Sequence, residues 1–307
     1  MSSSDAGDAL GRVAREVGGA ELVDRLAALS GSDFTTLMLE VVRRRAARET
    51  PATVLRRYAR DRFVRPGGTP LRSARRAEDV LLGCLPPEAE VVTLAPLVPL
   101  GTHSALATVS QHKVVTAIRA CEVAADPTNA LALEAAVRRA GRPQQAVRLA
   151  AVQRVVRAQR FPAGWAAHFG LFATVTADRD QGSRRFERAA VAEELSFAVT
   201  ALRAAGVPRV QVALTPLSDA GERIAEAAAE ALASGPAEVI TDRDRLGGRG
   251  YYRDLCFKVN ALADDAPVEI GDGGFTDWTA RLLANGKERL LIAGYGTDRL
   301  GAFTDVR

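Results

Sequence analysis

The sequence predicts an α+β protein in which an antiparallel β-sheet is flanked by helices and preceded by an N-terminal helical region. Apolar residues recur at helical spacing through the first third of the chain. From Glu90 onward, β-branched residues and two-residue alternation predict strands. Helices interrupt these strands at irregular intervals rather than after each one, which favours an antiparallel sheet over a doubly wound parallel one.

The composition indicates an ordinary globular protein. The chain has 307 residues, 47% of them apolar, which is enough for one large core or for one large and one small domain. Its three cysteines, Cys84, Cys121 and Cys256, lack C-x-x-C spacing, so we expect buried thiols in a reducing compartment. No apolar run approaches the roughly 20 residues that span a bilayer, and the N-terminus lacks the pattern of a secretion signal. We therefore expect a soluble, cytoplasmic protein.

Within the helical region, apolar residues follow helical spacing over 22–29 and 34–41. Thr50 followed by Pro51 is a helix start signal, because threonine caps free amides and proline fits the first helical position. Residues 66–68, Pro-Gly-Gly, are a candidate linker, and a short helix is predicted near 77–83. The predicted domains are 1–68, an Arg-rich helical region, and 69–307, a catalytic-type core.

Arginine is concentrated in the stretch between Val41 and Arg76. It holds twelve arginines and two acids, Glu49 and Asp61, a charge of 12 − 2 = +10, whereas the whole chain carries +4. A solvated helix face accounts for such a block. The alternative is that the block from Arg43 to Arg76 docks an acidic carrier protein or an RNA.

The remaining elements are predicted from apolar alternation and from helical spacing. A long amphipathic helix is predicted over 185–205. The predicted strands are 90–94, 113–118, 147–157, 169–177, 210–214, 255–262 and 289–292.

Several common chemistries are excluded by their motifs. There is no Gly-x-x-x-x-Gly-Lys-Ser/Thr phosphate loop and no Gly-x-Ser-x-Gly nucleophile turn. His103, His112 and His168 are scattered, so a transition-metal site is not expected. Arginines, glycines and a few carboxylates remain, a set that favours phosphate chemistry by positioning and charge stabilisation.

Residues 126–136, Asp-Pro-Thr-Asn-Ala-Leu-Ala-Leu-Glu-Ala-Ala, resemble the Leu-Arg-Pro-Glu-Gly-Thr stretch of histidyl-type class II aminoacyl-tRNA synthetases. This resemblance places Glu134 at the family glutamate that holds the substrate's α-amino group. A carboxylate suits an ammonium, since a charge-assisted hydrogen bond contributes about 1.5–3 kcal/mol. The alternative is a solvent-facing helix glutamate.

The segment Arg157-Ala158-Gln159-Arg160-Phe161 resembles motif 2 of the same family. The resemblance implies that Arg157 grips the α-phosphate and the substrate carboxylate, and that Phe169 stacks on adenine. Gln159 replaces the family glutamate, and its amide can still hydrogen-bond adenine. The alternative is a basic surface stripe made by Arg154, Arg157 and Arg160.

Near the end of the chain, Gly273-Gly274-Phe275-Thr276-Asp277 resembles the histidyl-type Gly-Gly-Arg-Tyr-Asp. The segment 294–300 resembles motif 3, Gly-x-Gly-x-x-Arg-Leu, with Gly294, Gly296 and Arg299 at the matching positions. The resemblance implies that the glycines let a nucleotide approach the backbone and that Arg299 contacts the γ-phosphate of ATP. An ordinary strand-to-helix turn is the alternative.

Residues 249–258 are similar to the histidyl-type Arg-Gly-Leu-Asp-Tyr-Tyr-Thr segment. The similarity assigns Arg249, or alternatively Arg245, to the additional arginine that touches the α-phosphate. Tyr251 and Tyr252 then belong to the substrate pocket.

The imidazole-reading positions of the family fall on Leu171 and Val175. An imidazole buried between two apolar side chains would lose its hydrogen bonds, at about 1–3 kcal/mol each. A smaller or more apolar acid than histidine is therefore expected.

The resemblance covers residues from about Glu90 to Leu300, and the chain ends at Arg307, before a tRNA-reading domain would begin. It implies an adenylate-forming ligase outside translation, which would use ATP and Mg²⁺ to activate an amino or carboxylic acid and pass it to an acceptor. Two alternatives stay open: a catalytically silent module, like the synthetase-like regulatory subunit of ATP phosphoribosyltransferase, and an RNA-binding protein. A homodimer is expected from the family.

Overall fold

The computed structural model describes residues 3–161, 166–263 and 266–304. The helices are α1 Ser3–Glu16, α2 Ala20–Ala27, α3 Gly31–Ala46, α4 Pro51–Tyr58, α5 Leu71–Gly83, α6 Thr102–Ala107, α7 Pro127–Gly141, α8 Arg185–Ala204, α9 Asp219–Leu232, α10 Trp278–Leu282 and α11 Thr297–Thr304. The strands are β1 Glu90–Val91, β2 Leu97–Pro99, β3 Thr116–Ala117, β4 Cys121–Val123, β5 Val147–Val156, β6 His168–Arg179, β7 Val210–Pro216, β8 Ala237–Thr241, β9 Tyr252–Ala263, β10 Ala266–Thr276 and β11 Glu288–Gly296. None of the helices in these ranges has the length and apolarity needed to cross a membrane.

The chain divides into two compact units. The first comprises residues 1–61 with 116–121, and the second comprises 62–115 with 122–307. Helices α1–α4 lie in the first unit, and the large sheet with helices α5–α11 lies in the second. The boundary that the sequence predicts at residue 68 stays a prediction.

The second unit is built on an eight-stranded sheet in the order β1-β5-β6-β11-β10-β9-β7-β8. From β5 to β7 all neighbours are antiparallel, and only the two edge strands, β1 and β8, pair in parallel. The predicted α+β class with an antiparallel sheet is therefore confirmed.

Some predicted elements differ from the observed ones. Helix α5 begins six residues before the predicted start, and the predicted strand at 90–94 forms ladder pairs only at Glu90 and Val91. The predicted strand at 113–118 was wrong for most of its length, because a 3₁₀ turn, Gln111–Lys113, precedes a strand of only two residues. Strand β10 was missed, because its glycines obscure the alternation on which strand prediction depends.

Apolar side chains cover both faces of the sheet. On the rear face, α8 packs Phe197 and Leu195 against Phe172 and Tyr295 of the sheet. On the front face, α7 packs side chains such as Leu131 against Leu149 of β5 and its neighbours. Burying each of these large side chains stabilises the fold by about 1.5–3 kcal/mol. The front face is covered along part of the strands only, and the candidate site lies beyond that cover.

Candidate functional site

One row of cross-strand neighbours on the front face consists of small residues. Ala151, Ala173 and Gly294 lie opposite one another on β5, β6 and β11, and Asp272 continues the row on β10. Directly opposed residues point to the same face of a sheet. A Cβ atom added at Gly294 would meet nothing within 4 Å. The row therefore leaves open space above Gly294, and the carboxylate of Asp272 lies next to that space.

Two arginines lie on this face at the same end of the sheet. The Arg157 guanidinium lies over the Phe169 ring, 5.1 Å from its centroid. The aliphatic stem of Arg299 lies 3.5 Å from the position that a Cβ of Gly296 would take. Gly296 is the neighbour of Leu171, two residues along β6 from Phe169. The structure thus brings together Arg157, Phe169, Leu171, Gly296 and Arg299.

Arg157 forms an ion pair that the sequence did not single out. Its Nη2 lies 3.1 Å from Asp126 Oδ2, and its Nε donates to the Ala125 carbonyl at 2.8 Å. Asp126 is also the N-cap of α7, where Oδ1 accepts from the Thr128 amide, and Pro127 follows at the first helical position. The Arg157 and Asp126 side chains are 31% and 36% exposed, so a ligand can reach both.

Behind this pair lies a buried histidine–glutamate dyad. The Ala125 amide donates to His103 Nε2 at 2.9 Å, so the ring proton is on Nδ1, which donates to Glu122 Oε1 at 2.5 Å. Burial on its own raises the pKa of Glu122, but hydrogen bonds from His103, Gly101 and Gln111 outweigh it and lower that pKa. The carboxylate is therefore charged, and the Ala125 backbone is held by His103 through its N–H and by Arg157 through its carbonyl.

A second polar cluster surrounds Asp272. Its carboxylate accepts from Arg245 Nη2 and from the Tyr252 hydroxyl, and Arg245 Nη1 donates to the Phe257 carbonyl at 2.9 Å. Burial raises the pKa of Asp272, although Arg245 opposes this rise. The Arg245 side chain is only 3% exposed, whereas the Asp272 side chain is 32% exposed, so the arginine is interior and the carboxylate reaches the open part of the face.

Tyr251 connects the two clusters. Burial raises the pKa of its phenol to about 12, and the negative charges of Asp272 and Asp126 both add to the rise. Its ring stacks against Tyr252 and Trp278, with centroids 4.4 and 5.9 Å away. Tyr251 therefore forms a wall within electrostatic reach of both aspartates.

Two sequence-predicted polar residues lie elsewhere. Glu134 accepts from Arg138 at 2.7 Å on the outer side of α7, where Arg138 also holds Glu90, so it belongs to a surface network. The Arg249 guanidinium donates to the backbone carbonyls of Arg243 and Arg245 and so stabilises the loop 243–249. Arg245, the alternative from the sequence, is the arginine that reaches the Asp272 cluster.

Three residues that the sequence predicts to contact substrate pack against other parts of the protein instead. A Cβ at Gly273 would lie 2.4 Å from the Phe257 ring, and one at Gly274 would lie 2.7 Å from the Tyr252 ring. Val175 is 1% exposed in the core under α7. These glycines leave room for aromatic rings rather than for a ligand, and Val175 does not line the open part of the face.

The loop between β5 and β6 is tethered by a residue that the sequence did not indicate. Arg62 Nη1 donates to the Gln159 carbonyl at 2.7 Å, and its Nη2 donates to the Ala158 carbonyl at 2.5 Å. The backbone of Gln159 is thus held in place just after Arg157. The sequence offered no signal for this contact, since it joins residues 97 positions apart.

A buried acceptor without a partner lies on the same face. Gln153 is 7% exposed and donates through Nε2 to the Ala95 carbonyl at 2.7 Å, which fixes the orientation of its amide. Its Oε1 has no hydrogen-bond partner among the described residues. Gln153 is the cross-strand neighbour of Leu171. Since buried polar atoms are normally satisfied, this oxygen indicates a place for a ligand donor or a water.

The described residues include no group of three or more His, Cys, Asp or Glu side chains that could hold a metal ion. The side chains of the site are paired arginines and carboxylates with aromatic neighbours, and Gly294 leaves open space between them.

Comparison with known proteins links this architecture to synthetases. No protein-family model and no curated protein sequence matches the chain. Among solved structures, it is similar to histidyl-tRNA synthetase from S. aureus, with 15% identity and a TM-score of 0.58, over 76% of this chain and 65% of that one. The chain thus spans about two thirds of the length of that synthetase.

Two further solved structures are also similar to this chain. An ATP phosphoribosyltransferase regulatory subunit/histidyl-tRNA synthetase from Bacillus halodurans has 13% identity and a TM-score of 0.63, over 79% of this chain and 83% of that one. A histidine–tRNA ligase subunit from Alicyclobacillus acidocaldarius has 15% identity and a TM-score of 0.59, over 78% and 96%. The chain therefore has a class II aminoacyl-tRNA synthetase-like fold, the one found in histidyl-tRNA synthetases and in their regulatory-subunit relatives.

Proposed function

We propose that this chain is a synthetase-like binding protein whose front-face site holds the ammonium and carboxylate groups of a free amino acid. The observation that carries the proposal is the Asp126–Arg157 pair, in which a carboxylate and a guanidinium lie side by side and a third exposed. A zwitterionic amino acid presents the complementary charges. The planar guanidinium can bind both oxygens of its carboxylate, and Asp126 can accept from its ammonium.

The charge balance around the site supports a zwitterion. Four cations, Arg157, Arg245, Lys258 and Arg299, face three carboxylates, Asp126, Asp272 and Glu269, a balance of 4 − 3 = +1. Each cation lies within ion-pair distance of a carboxylate. A zwitterion leaves this balance unchanged, whereas a nucleoside triphosphate brings about four negative charges, which need further cations or Mg²⁺.

The side chains that line the site indicate which class of amino acid could bind there. Leu171 and Phe169 are apolar and half-buried, and Gly294 leaves open space beside them. One donor of the ligand could reach Gln153 Oε1, but a ring nitrogen that faced Leu171 or Phe169 would lose its hydrogen bond, at about 1–3 kcal/mol. A small or apolar side chain is therefore the expected ligand class, rather than histidine.

ATP-dependent activation of the same acid is the second candidate. The position of Arg299 favours it, because that arginine shares the front face and the sheet end with Arg157. In this alternative, the two arginines would bind the phosphates, Phe169 would stack on adenine, and Mg²⁺ would be held mainly by phosphate oxygens. The acyl group of the adenylate would then pass to an acceptor.

Titration calorimetry with each of the twenty common amino acids tests the first candidate. Arg157→Ala should abolish binding. Arg154→Ala is the matched control, because Arg154 also lies on β5 but pairs with His168 and Asp298 instead. Failure of all twenty acids to bind, or equal losses in the two variants, would contradict the proposal.

Exchange of labelled pyrophosphate into ATP distinguishes the second candidate. Amino-acid-dependent exchange that Arg299→Ala removes would establish activation. If the amino acid binds but no exchange occurs at saturating ATP and Mg²⁺, the chain acts as a binding protein and does not activate the acid.

A further inference from the structure

The amide of Gln153 has a fixed direction and one unused oxygen. Its Nε2 donates to the Ala95 carbonyl, so Oε1 is the atom that remains, and no described residue donates to it. Gln153 is 7% exposed, and a buried acceptor without a donor is costly. A ligand that brings one donor to this oxygen therefore gains a hydrogen bond that the protein alone does not make.

The register of the sheet places Gln153 between the clamp arginine, Arg157, and the open space at Gly294. Gln153 pairs with Leu171 across the strands. The next pair on the same face, toward the end of β5, includes Phe169, and the Arg157 guanidinium lies over that ring. The next pair in the other direction belongs to the row that ends at Gly294. A ligand held by Arg157, with its side chain directed toward Gly294, therefore passes Gln153.

The backbone ties Gln153 to the carboxylate of the exposed pair. The Ala95 carbonyl accepts from Gln153, and the carbonyl of the following residue, Pro96, accepts from the Ala124 amide at 3.0 Å. Ala124 lies two residues before Asp126, the partner of the clamp arginine. One hydrogen-bonded segment thus positions both the unused acceptor and the pair that would hold the head group.

The spacing limits the length of the ligand's side chain. Phe169, under the guanidinium, and Leu171, beside Gln153, are two residues apart on β6, a distance of about 7 Å. Two hydrogen bonds of about 2.8 Å each, joined by the short path from a carboxylate to a β-hydroxyl, cover a gap of this size. An amide or imidazole side chain would bring a second polar atom, which the apolar Leu171 and Phe169 leave without a partner.

We propose that Gln153 is a specificity-determining residue, which accepts a hydrogen bond from the side-chain hydroxyl of the bound amino acid and so selects serine or threonine. This inference rests on the proposed function, because it requires Arg157 and Asp126 to hold the carboxylate and the ammonium. A site built to bond a hydroxyl discriminates against the analogue that lacks it, since the acceptor is then left unpaired. A water or the ligand's ammonium at this oxygen would instead make Gln153 indifferent to the side chain.

Calorimetry of the wild-type chain with matched amino acids tests the inference. Valine has a methyl group where threonine has its hydroxyl, and alanine lacks the hydroxyl of serine. Threonine should bind about ten- to a hundredfold more tightly than valine, and serine similarly exceed alanine. Equal affinities within both comparisons would overturn this inference and leave the proposed function standing. Failure of every amino acid to bind would overturn both.

A substitution at Gln153 assigns the preference to its oxygen. Gln153→Met keeps the length of the side chain but removes the acceptor, so threonine should fall to the affinity of valine, while valine stays within about threefold. Asn260→Leu is the matched control, because Asn260 is also a 7%-exposed amide of the same sheet but bonds Gln211 at 3.2 Å. This control should keep the threonine preference.

Two results with folded Gln153→Met would overturn the inference. One is a threonine preference that survives the substitution. The other is an equal loss for threonine and valine, which would identify a water or the ammonium as the partner of the oxygen. If the variant does not fold, the comparison of threonine with valine on the wild-type chain decides alone.

Discussion

Two arginine–aspartate pairs flank Tyr251; their aspartates are similarly exposed, at 32% and 36%, but their arginines are not. Arg245 is 3% exposed and is tied to Asp272, a backbone carbonyl and the ring of Tyr252. The Arg157–Asp126 pair is about one third exposed on both sides and lies against a single ring, Phe169.

The difference separates a structural pair from a binding pair. A buried charge must keep its partner, because an unpaired ion in the interior is costly. An exposed pair can exchange its mutual contact for a ligand at little cost, since water already weakens it. The same two residue types therefore serve the fold in one place and ligand recognition in the other.

The largest effect is expected from removing the partner of the buried arginine, Arg245. Asp272→Ala leaves Arg245 without its carboxylate and should lower the free energy of unfolding by about 3–5 kcal/mol. Asp126→Ala removes a helix cap and should cost only about 1 kcal/mol. Urea denaturation of both variants measures the contrast, and equal losses would contradict the division into structural and binding pairs.

The dyad behind the exposed pair gives the next largest effect. Glu122→Gln places an amide where the carboxylate accepts several hydrogen bonds and should cost about 1–3 kcal/mol. Because the folded-state pKa of Glu122 is lowered, its stabilisation is present above the ordinary value of 4.5 and is lost as pH falls through the folded value. Wild type should therefore lose stability more steeply than the variant in acid, and parallel pH profiles would contradict this role.

The exposed pair is tested with a conservative change. Arg157→Lys keeps the charge but loses the fork that binds two oxygens, so amino-acid affinity should fall about ten- to a hundredfold. Unfolding free energy should stay within about 0.5 kcal/mol of wild type, as for other surface changes. A stability loss comparable to that of Asp272→Ala would instead make Arg157 a structural residue.

The smallest effect concerns a buried carboxylate on the rear face. Burial raises the pKa of Glu194, while hydrogen bonds from Tyr295 and Thr174 oppose the rise. A raised pKa contributes stability that is present below 4.5 and lost as pH rises through the folded value. Glu194→Gln should therefore gain stability relative to wild type as pH rises, without a change in ligand affinity. A loss of affinity would mean that the two faces are coupled through Tyr295.

Sequence patterns predicted the regular part of the fold well. β5, β6 and α8 were predicted within about two residues of their bounds, because their apolar spacing is dictated by burial on the two faces of the sheet. Strand β10 has three glycines and one aspartate in succession at 271–274. The glycines pack beneath aromatic rings and the aspartate joins a polar cluster, so this stretch shows no apolar alternation.

The site was predicted only in part. Arg157, Phe169 and Arg299 were indicated by motif-like spacing and lie on one face. Asp126 was missed although it lies in the same segment as Glu134, because spacing along a helix does not reveal which carboxylate faces a distant arginine. The contacts of Asp126 with Arg157 and of Ala125 with His103 each join positions more than 20 residues apart. Such contacts follow from the tertiary fold.

The Ala125 peptide is clamped between an imidazole and a guanidinium. Its N–H bonds to the imidazole, and its carbonyl, which shares a peptide plane with the Asp126 N–H, bonds to the guanidinium. In a nitrogen–proton correlation spectrum, the Asp126 amide resonance should therefore move whenever an occupant draws Arg157 away from the Ala125 carbonyl. One backbone signal can thus register occupancy without any label on the ligand.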